Sequence, residues 1–272
     1  MSASEAIGQA LSADRLTEAL KLALDAVKAK PQDAQARLLL IDLLILLGDY
    51  ERADKQADAA AKISPVDAVG LSILRGQVRG LDARDKWFRG GAVPAFPGGP
   101  SPADEAALRL GLALREKDGI AARAAYEALE AAREPLSLIW NGAPAPDFRD
   151  ADDRLFHAFE VITTGGAYLW IEFARVENLA LEPIRRPRDL AVRRATLTLK
   201  SGSAAEVLIP AIYGIASELS DPLRLGRQTN WIELPGGLMA GQGQRCFLVG
   251  EEIEPLSGAE SIDAAAEEAA LG

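Results

Sequence analysis

The chain has 272 residues, of which 49% are hydrophobic and 26% charged, and its formal net charge is −10. That length suffices for one large domain or two ordinary ones, each with a core of its own. The acidic balance argues against nucleic acid, whose affinity rests on cations neutralising phosphates, and equally against an anionic membrane surface.

The opening "MSASEAIGQALSADRL" lacks a basic stretch followed by an apolar core, so no secretory signal is expected. Cys246 is the single cysteine and cannot form an internal disulfide, which requires no oxidising compartment. A cytoplasmic protein is the expectation. Heavy use of alanine, with aromatics at 6%, favours closely packed helices.

The front of the chain repeats. Pro31 and Pro65 lie 34 residues apart, and each ends an alanine-rich segment, "LTEALKLALDAVKAKPQD" and then "YERADKQADAAAKISPVD". The stretch between them reads as one tetratricopeptide-type unit. One helix runs to Leu47, Gly48-Asp49-Tyr50 turns it, and a second helix carries the small residues Ala53 and Ala60 where two helices must approach. The richest apolar run, "LLLIDLLILLG", is interrupted by Asp42 and is too short to span a bilayer. A third helix is expected from Val66 to about Phe88. Gly and Pro in "RGGAVPAFPGGPSP" then stop it. Ser101 is a fair N-cap with Asp104 and Glu105 in the first turn, opening two more helices joined at Asp118-Gly119 and closed by Pro135.

After the loop "NGAPAPDFRD" the texture changes. "DDRLFHAFEVITT" is read as one more helix. Strand signals follow in "AYLWIEFARVENLAL", and "RRATLTLKSGSAAEVLIPAIY" is a hairpin about Ser201-Gly202-Ser203. "PGGLMAGQGQ" reads as a long connection, "QRCFLVG" as a last strand, and the acidic, alanine-rich end as a frayed or short surface helix. The fold class is therefore α+β. An all-helical tetratricopeptide-like domain spans 1–140, a mixed domain with a mainly antiparallel sheet spans 141–255, and an acidic tail spans 256–272.

Catalytic constellations are weak. His157 and Cys246 invite a thiol-protease dyad, but neither lies in a nucleophile motif and Cys246 falls in a strand, so the pair is rejected. One His and one Cys cannot furnish a zinc site without two carboxylates, and "EEIE" at 251–254 reads as a solvated acidic patch. No phosphate-cradling glycine motif is present. The arginines of "RRPRDL" and "RRA", residues 185–195, are expected to pair with the protein's own carboxylates. No cofactor is expected. The stretch "RLGRQTNW", residues 224–231, is rich in hydrogen-bonding side chains without a nucleophile or metal ligand.

Taken in order, these C-terminal elements resemble the ImpE family, the TagJ-type accessory proteins encoded with some type VI secretion systems. The resemblance rests on an acidic-Arg-Leu element leading a helix (Asp152, Asp153, Arg154, Leu155) and a Gly-x-Tyr-x-Trp strand (Gly166, Tyr168, Trp170). It continues in "RRPRDLAVRRATL", a Leu-Ile-Pro-x-x-Tyr element (Leu208, Ile209, Pro210, Tyr213), and "LGRQTNW". Asn230 stands where the family block has Asp, and "WIEF" where the family tends to have a proline. The family also opens with tetratricopeptide-like helices, so the resemblance extends over nearly the whole chain.

The resemblance implies a non-enzymatic adaptor that binds an amphipathic helix of the small contractile-sheath subunit, linked to the ClpV-type AAA+ ATPase that recycles the sheath. It makes Asp153, Arg154, Tyr168, Trp170, Tyr213, Arg227, Gln228, Thr229 and Trp231 the candidate partner-binding or structural residues. Arg227, Gln228 and Thr229 are expected to tie loop backbone groups together, with Trp231 anchoring the loop on the core. The competing reading is a small-molecule binder or enzyme with a cleft between the two halves near Tyr213 and Arg227. A blander third reading is a repeat scaffold with another client.

Overall fold

A computed structural model describes residues 2–133, 135–214 and 219–265. The front is helical: α1 (Ala3–Ser12), α2 (Leu16–Ala29), α3 (Ala34–Leu47), α4 (Tyr50–Ile63), α5 (Ala68–Arg89), α6 (Pro102–Glu116) and α7 (Gly119–Ala132). Asp33, Asp49, Ser101 and Asp118 each accept a backbone N–H of the first turn they precede. Such a cap is worth about 1 kcal/mol. Gly48, at φ 74°, closes α3 in the left-handed region. Residues Leu40 to Leu46 of α3 are all buried, Asp42 included, as suits a helix that is apolar on every side. α4 carries Ala53, Ala57 and Ala60 on its buried face, and their small side chains let neighbouring helices come close. No described helix is long and apolar enough to cross a membrane.

The rest is mostly strand: β1 (Leu138–Trp140), β2 (Ala143–Ala145), β3 (Arg149–Asp150), β4 (Ala158–Thr163), β5 (Tyr168–Glu172), β6 (Val176–Leu181), β7 (Val192–Leu199) and β8 (Ala204–Pro210). A short helix α8 (Asp221–Arg224) follows, then β9 (Thr229–Leu234), β10 (Leu238–Gly243), β11 (Cys246–Val249), β12 (Glu252–Pro255) and β13 (Ser261–Ala264). The main sheet has eight strands in the order β2-β1-β13-β6-β7-β8-β4-β5, every neighbour antiparallel. β9 and β10 form a separate hairpin, and β12, β11 and β3 a third small sheet. The fold is α+β, with the helices first and a mainly antiparallel sheet after them.

The structure corrects three expectations. "DDRLFHAFEVITT" is not a helix: residues 152–157 turn, and 158–163 form β4. Its apolar residues fill both faces of a strand, Ala158 and Ile162 on the helical core and Phe159 and Val161 on the other, and such a run lacks the alternation that betrays a half-buried strand. "PGGLMAGQGQ" supplies β10 rather than a connection. "QRCFLVG" is not the last strand, since Ile253 lies in β12 and residues 261–264 form β13 between β1 and β6. Part of the expected acidic tail of 256–272, residues 261–264, thus lies inside the sheet, and its residues 266–272 lie outside the described ones.

The two halves share a core. One apolar cluster runs from Ile7 through the helices to Ile162, Tyr168, Trp170 and Leu208 of the sheet. A second, aromatic cluster of Phe148, Phe159, Phe173 and Phe247 fills the opposite face. α5 docks on the sheet through glycines one turn apart. A Cβ on Gly80 would sit 2.6 Å from Ile162 Cγ2 and 2.8 Å from the carbonyl of Gly166. Gly76 meets the same β4–β5 turn.

Candidate functional site

Beneath α5 lies the most charged part of the interior. Glu160, on β4, points to the helical side with Ala158 and Ile162 and is fully buried. It accepts from Arg84 Nε (3.0 Å) and Nη2 (2.7 Å) of α5, from the Tyr168 hydroxyl (2.5 Å), and from Arg245 Nη2. Trp170 Nε1 donates to the Tyr168 hydroxyl at 2.8 Å, so the Tyr-x-Trp pair of β5 orients the carboxylate's third donor. Burial by itself would raise the Glu160 carboxyl, but the Arg84 and Arg245 charges outweigh it and hold it at about 2. A buried carboxylate survives only with such partners.

Arg245 continues the network to Asp150, 3.5 Å away. Burial dominates there and pushes Asp150 up to about 7, against the pull of Arg245. The Tyr213 hydroxyl donates to Asp150 at 2.9 Å and also receives the backbone N–H of Cys246 at 2.9 Å. Burial and the neighbouring carboxylates Asp150 and Asp152 raise the Tyr213 phenol. Asp152, Asp153 and Arg154 clip the free side of β10. Asp152 accepts from Gly241 N (2.9 Å), and Asp153 accepts from Met239 N (2.7 Å). Arg154 grips Asp152 and donates to the Gly214 carbonyl at 2.9 Å.

"RLGRQTNW" spans two elements. Arg224 ends α8 and donates to the carbonyl of Leu47 at 2.6 Å, and Asp221 at the start of α8 accepts from Thr17 N at 2.9 Å. Arg227 lies 3.4 Å from Asp14 at the surface. The block's first half thus fastens the back of the chain to the first three helices. Gln228 gives its carbonyl to Gln244 N, and the Thr229 hydroxyl donates to the Gln244 carbonyl at 2.7 Å. Trp231 departs from the expectation. It is 37% exposed on β9, beside the Tyr213 ring at 5.9 Å between centroids, because β9 is the outer strand of its hairpin and β10 takes the buried place. Tyr213 and Arg227 do not line a common cavity: Tyr213 lines a small one of about 90 Å³ between the helices and the back of the chain, with Arg84 and Arg224, whereas Arg227 faces solvent beside Asp14.

His157 Nε2 lies 3.0 Å from Asp104 Oδ1 of the α6 cap, whereas Cys246 is buried beside Thr229 and the Gln244 carbonyl, so the two have separate settings. Burial raises the Cys246 thiol, the reverse of what a nucleophile needs. No group of three or more His, Cys, Asp or Glu among the described residues is placed to hold a metal ion.

Three arginines of the clusters find close internal partners. Arg186 makes a bidentate contact with Asp42 of α3, at 2.8 and 3.0 Å, and Arg194 lies 3.4 Å from Glu182. Arg193 satisfies itself on carbonyls, among them Glu182 and Leu256. The sequence offered Asp42 only as a break in an apolar run. Glu160 and Arg84 were missed as well, although a lone acid in "HAFEVIT" and a basic residue on the buried side of α5 are the signals of a buried pair.

Two cavities meet at Leu38 and Arg186. One, of about 650 Å³, is lined by α1, α2 and α3 with Ile7, Ala26, Ala36 and Leu39 among its walls. The other, of about 450 Å³, lies between the start of α5 and β7–β8. Val66 and Ile73, which line it, are 90% and 42% exposed, and Val69 on the first turn of α5 is 75% exposed.

Residues 142–263 match the family described as ImpE protein. Over 237 residues, 85% of this chain and 82% of the relative, the sequence is 33% identical to the type VI secretion system accessory component TagJ of Pseudomonas aeruginosa. The X-ray crystal structure of protein VPA1032 from Vibrio parahaemolyticus matches with a TM-score of 0.90 at 30% identity, covering 97% of this chain and 98% of that one. With helices, sheet and signature elements all inside that shared frame, the chain belongs to the ImpE family and is a TagJ homologue.

Proposed function

We propose that this protein is a non-enzymatic accessory component of a type VI secretion system that binds an amphipathic helix of the small contractile-sheath subunit. Through that subunit it is linked to the ClpV-type ATPase that recycles the sheath. The observation that carries the reading is the pair of adjoining cavities along α1–α3 and the start of α5, with the exposed Val66 and Ile73 among their walls, in a TagJ homologue. An amphipathic helix offers anchors at i, i+3, i+4 and i+7 that fit a trough of this kind.

The reading is tested by titrating the full chain with synthetic N-terminal helices of the cognate small sheath subunit at low and high salt. Binding should change little with salt, because apolar burial rather than the net charge drives it. Ile73→Asp, at an exposed position, should weaken it by roughly tenfold or more, the loss of about one buried aliphatic side chain. No binding to any segment of either sheath subunit by folded protein would remove the reading.

A further inference from the structure

A recess of about 390 Å³ opens between the end of α5, the second half of α6 and the end of β9, and it shares no residue with the groove above. Its floor is apolar: Trp87, Phe88, Gly111, Leu114 and Leu234. Its remaining walls are three arginines, Arg89, Arg115 and Arg154, and no carboxylate lines it. In a chain of net charge −10 such a lining of arginines without carboxylates is unusual, and Arg115 is the one of the three without an ion pair among the described residues.

The guanidiniums are held in place. Arg115 lies over the Trp87 ring at 4.6 Å and donates Nη1 to the Trp87 carbonyl at 2.9 Å. Arg154 lies over Phe88 at 5.0 Å. A Cβ on Gly111 would sit 2.5 Å from Trp87 Cζ2, so only glycine lets that ring lie against α6 beneath Arg115. Arg154 is paired with Asp152 and Arg89 with Asp85, whereas Arg115 makes no ion pair among the described residues. A guanidinium stacked on an aromatic face keeps in-plane N–H groups free for a carboxylate.

We propose that this recess binds an acidic segment of a partner protein, taking one Glu or Asp side chain on Arg115 and a neighbouring aliphatic side chain on the Trp87–Leu234 floor. Inorganic phosphate would leave the floor unfilled, and the acidic whole disfavours a nucleic acid strand. The site is separate from the sheath-helix groove, so either can fail alone.

The experiment is calorimetric titration of the full chain with N-acetyl-Leu-Glu-Glu-Leu-amide and its Gln-Gln counterpart, helicity and melting temperature being checked for each variant. The Glu peptide should bind roughly tenfold tighter or better, as a charge-assisted hydrogen bond predicts. Arg115→Gln should remove most of the preference for the Glu peptide, and Arg115→Glu should transfer the preference to a Leu-Lys-Lys-Leu peptide. Arg89→Gln, at an exposed position that leaves folding intact, should cost the Glu peptide a few-fold. Equal binding of the Glu and Gln peptides, indifference to both Arg115 and Arg89, or no binding at millimolar peptide would each overturn the proposal.

Discussion

Replacing Glu160 by Gln keeps the shape of the side chain and removes its charge. Arg84 and Arg245 would be left buried, 6% and 2% exposed, with Asp150 the remaining carboxylate among the described residues and only neutral oxygens, that of the new amide and the Ile212 carbonyl, besides. The carboxyl's depression from its ordinary 4.5 to about 2 corresponds to about 3 kcal/mol. That agrees with the roughly 3–5 kcal/mol lost when one member of a buried pair is deleted. At about 2 °C per kcal/mol for a chain of this size, Glu160→Gln should lower the melting temperature by about 6–10 °C in calorimetry. Arg84→Met combined with Glu160→Met should restore part of the loss, because the uncompensated charge leaves with its partner. The pH profile carries the same sign. A carboxylate with a depressed folded-state value contributes fully above 4.5 and loses that contribution as pH falls towards 2. A Glu160→Gln protein that melts within about 1 °C of the parent at pH 7 would refute the reasoning.

Two other outcomes follow from the same interior and its edge. Asp150 has a raised folded-state value, so the folded chain holds its proton more tightly than the unfolded one, and its share of stability declines as pH rises from 3.8 to about 7. Asp150→Asn should flatten the melting temperature across that window, measured by calorimetry against the parent. Trp231→Ala should cost no more than about 1 kcal/mol in urea unfolding, because the side chain stands at the hairpin's outer strand and not in the core.

The helical front was legible because its signals are local: the 34-residue spacing of Pro31 and Pro65, Gly48 at a left-handed cap, and the acidic or hydroxyl N-caps. The β7–β8 hairpin was legible for the same reason, with Gly202 in the turn. β4 was not, since its residues are buried on both faces and a strand of that kind shows neither period. The buried ion pairs were invisible for a different cause. Arg84 and Glu160 are 76 positions apart, and Asp42 and Arg186 are 144 apart, so no window of sequence holds both partners. Of the candidate site residues, Asp153, Arg154, Tyr168, Trp170, Tyr213, Arg227 and Thr229 each have polar partners in the interior or at the junction of the halves. Trp231 alone among the named aromatics turns outward, because whether β9 or β10 takes the inner place is decided by what packs beneath the hairpin.

β13 occupies a place in the eight-stranded sheet that the order of synthesis leaves vacant until late. It joins β1, through Trp140 opposite Ile262, to β6, through Leu179 opposite the same Ile262. A nascent chain that has not yet delivered residues 261–264 therefore holds two separate fragments, β2-β1 and β6-β7-β8-β4-β5, each showing an open edge. The helical repeats can fold as they emerge, through contacts between neighbours, whereas the sheet closes only by a long-range step. Until residues 261–264 are in place, the helical front therefore faces a divided sheet, and Ile262 alone supplies the opposite partner for both Trp140 and Leu179.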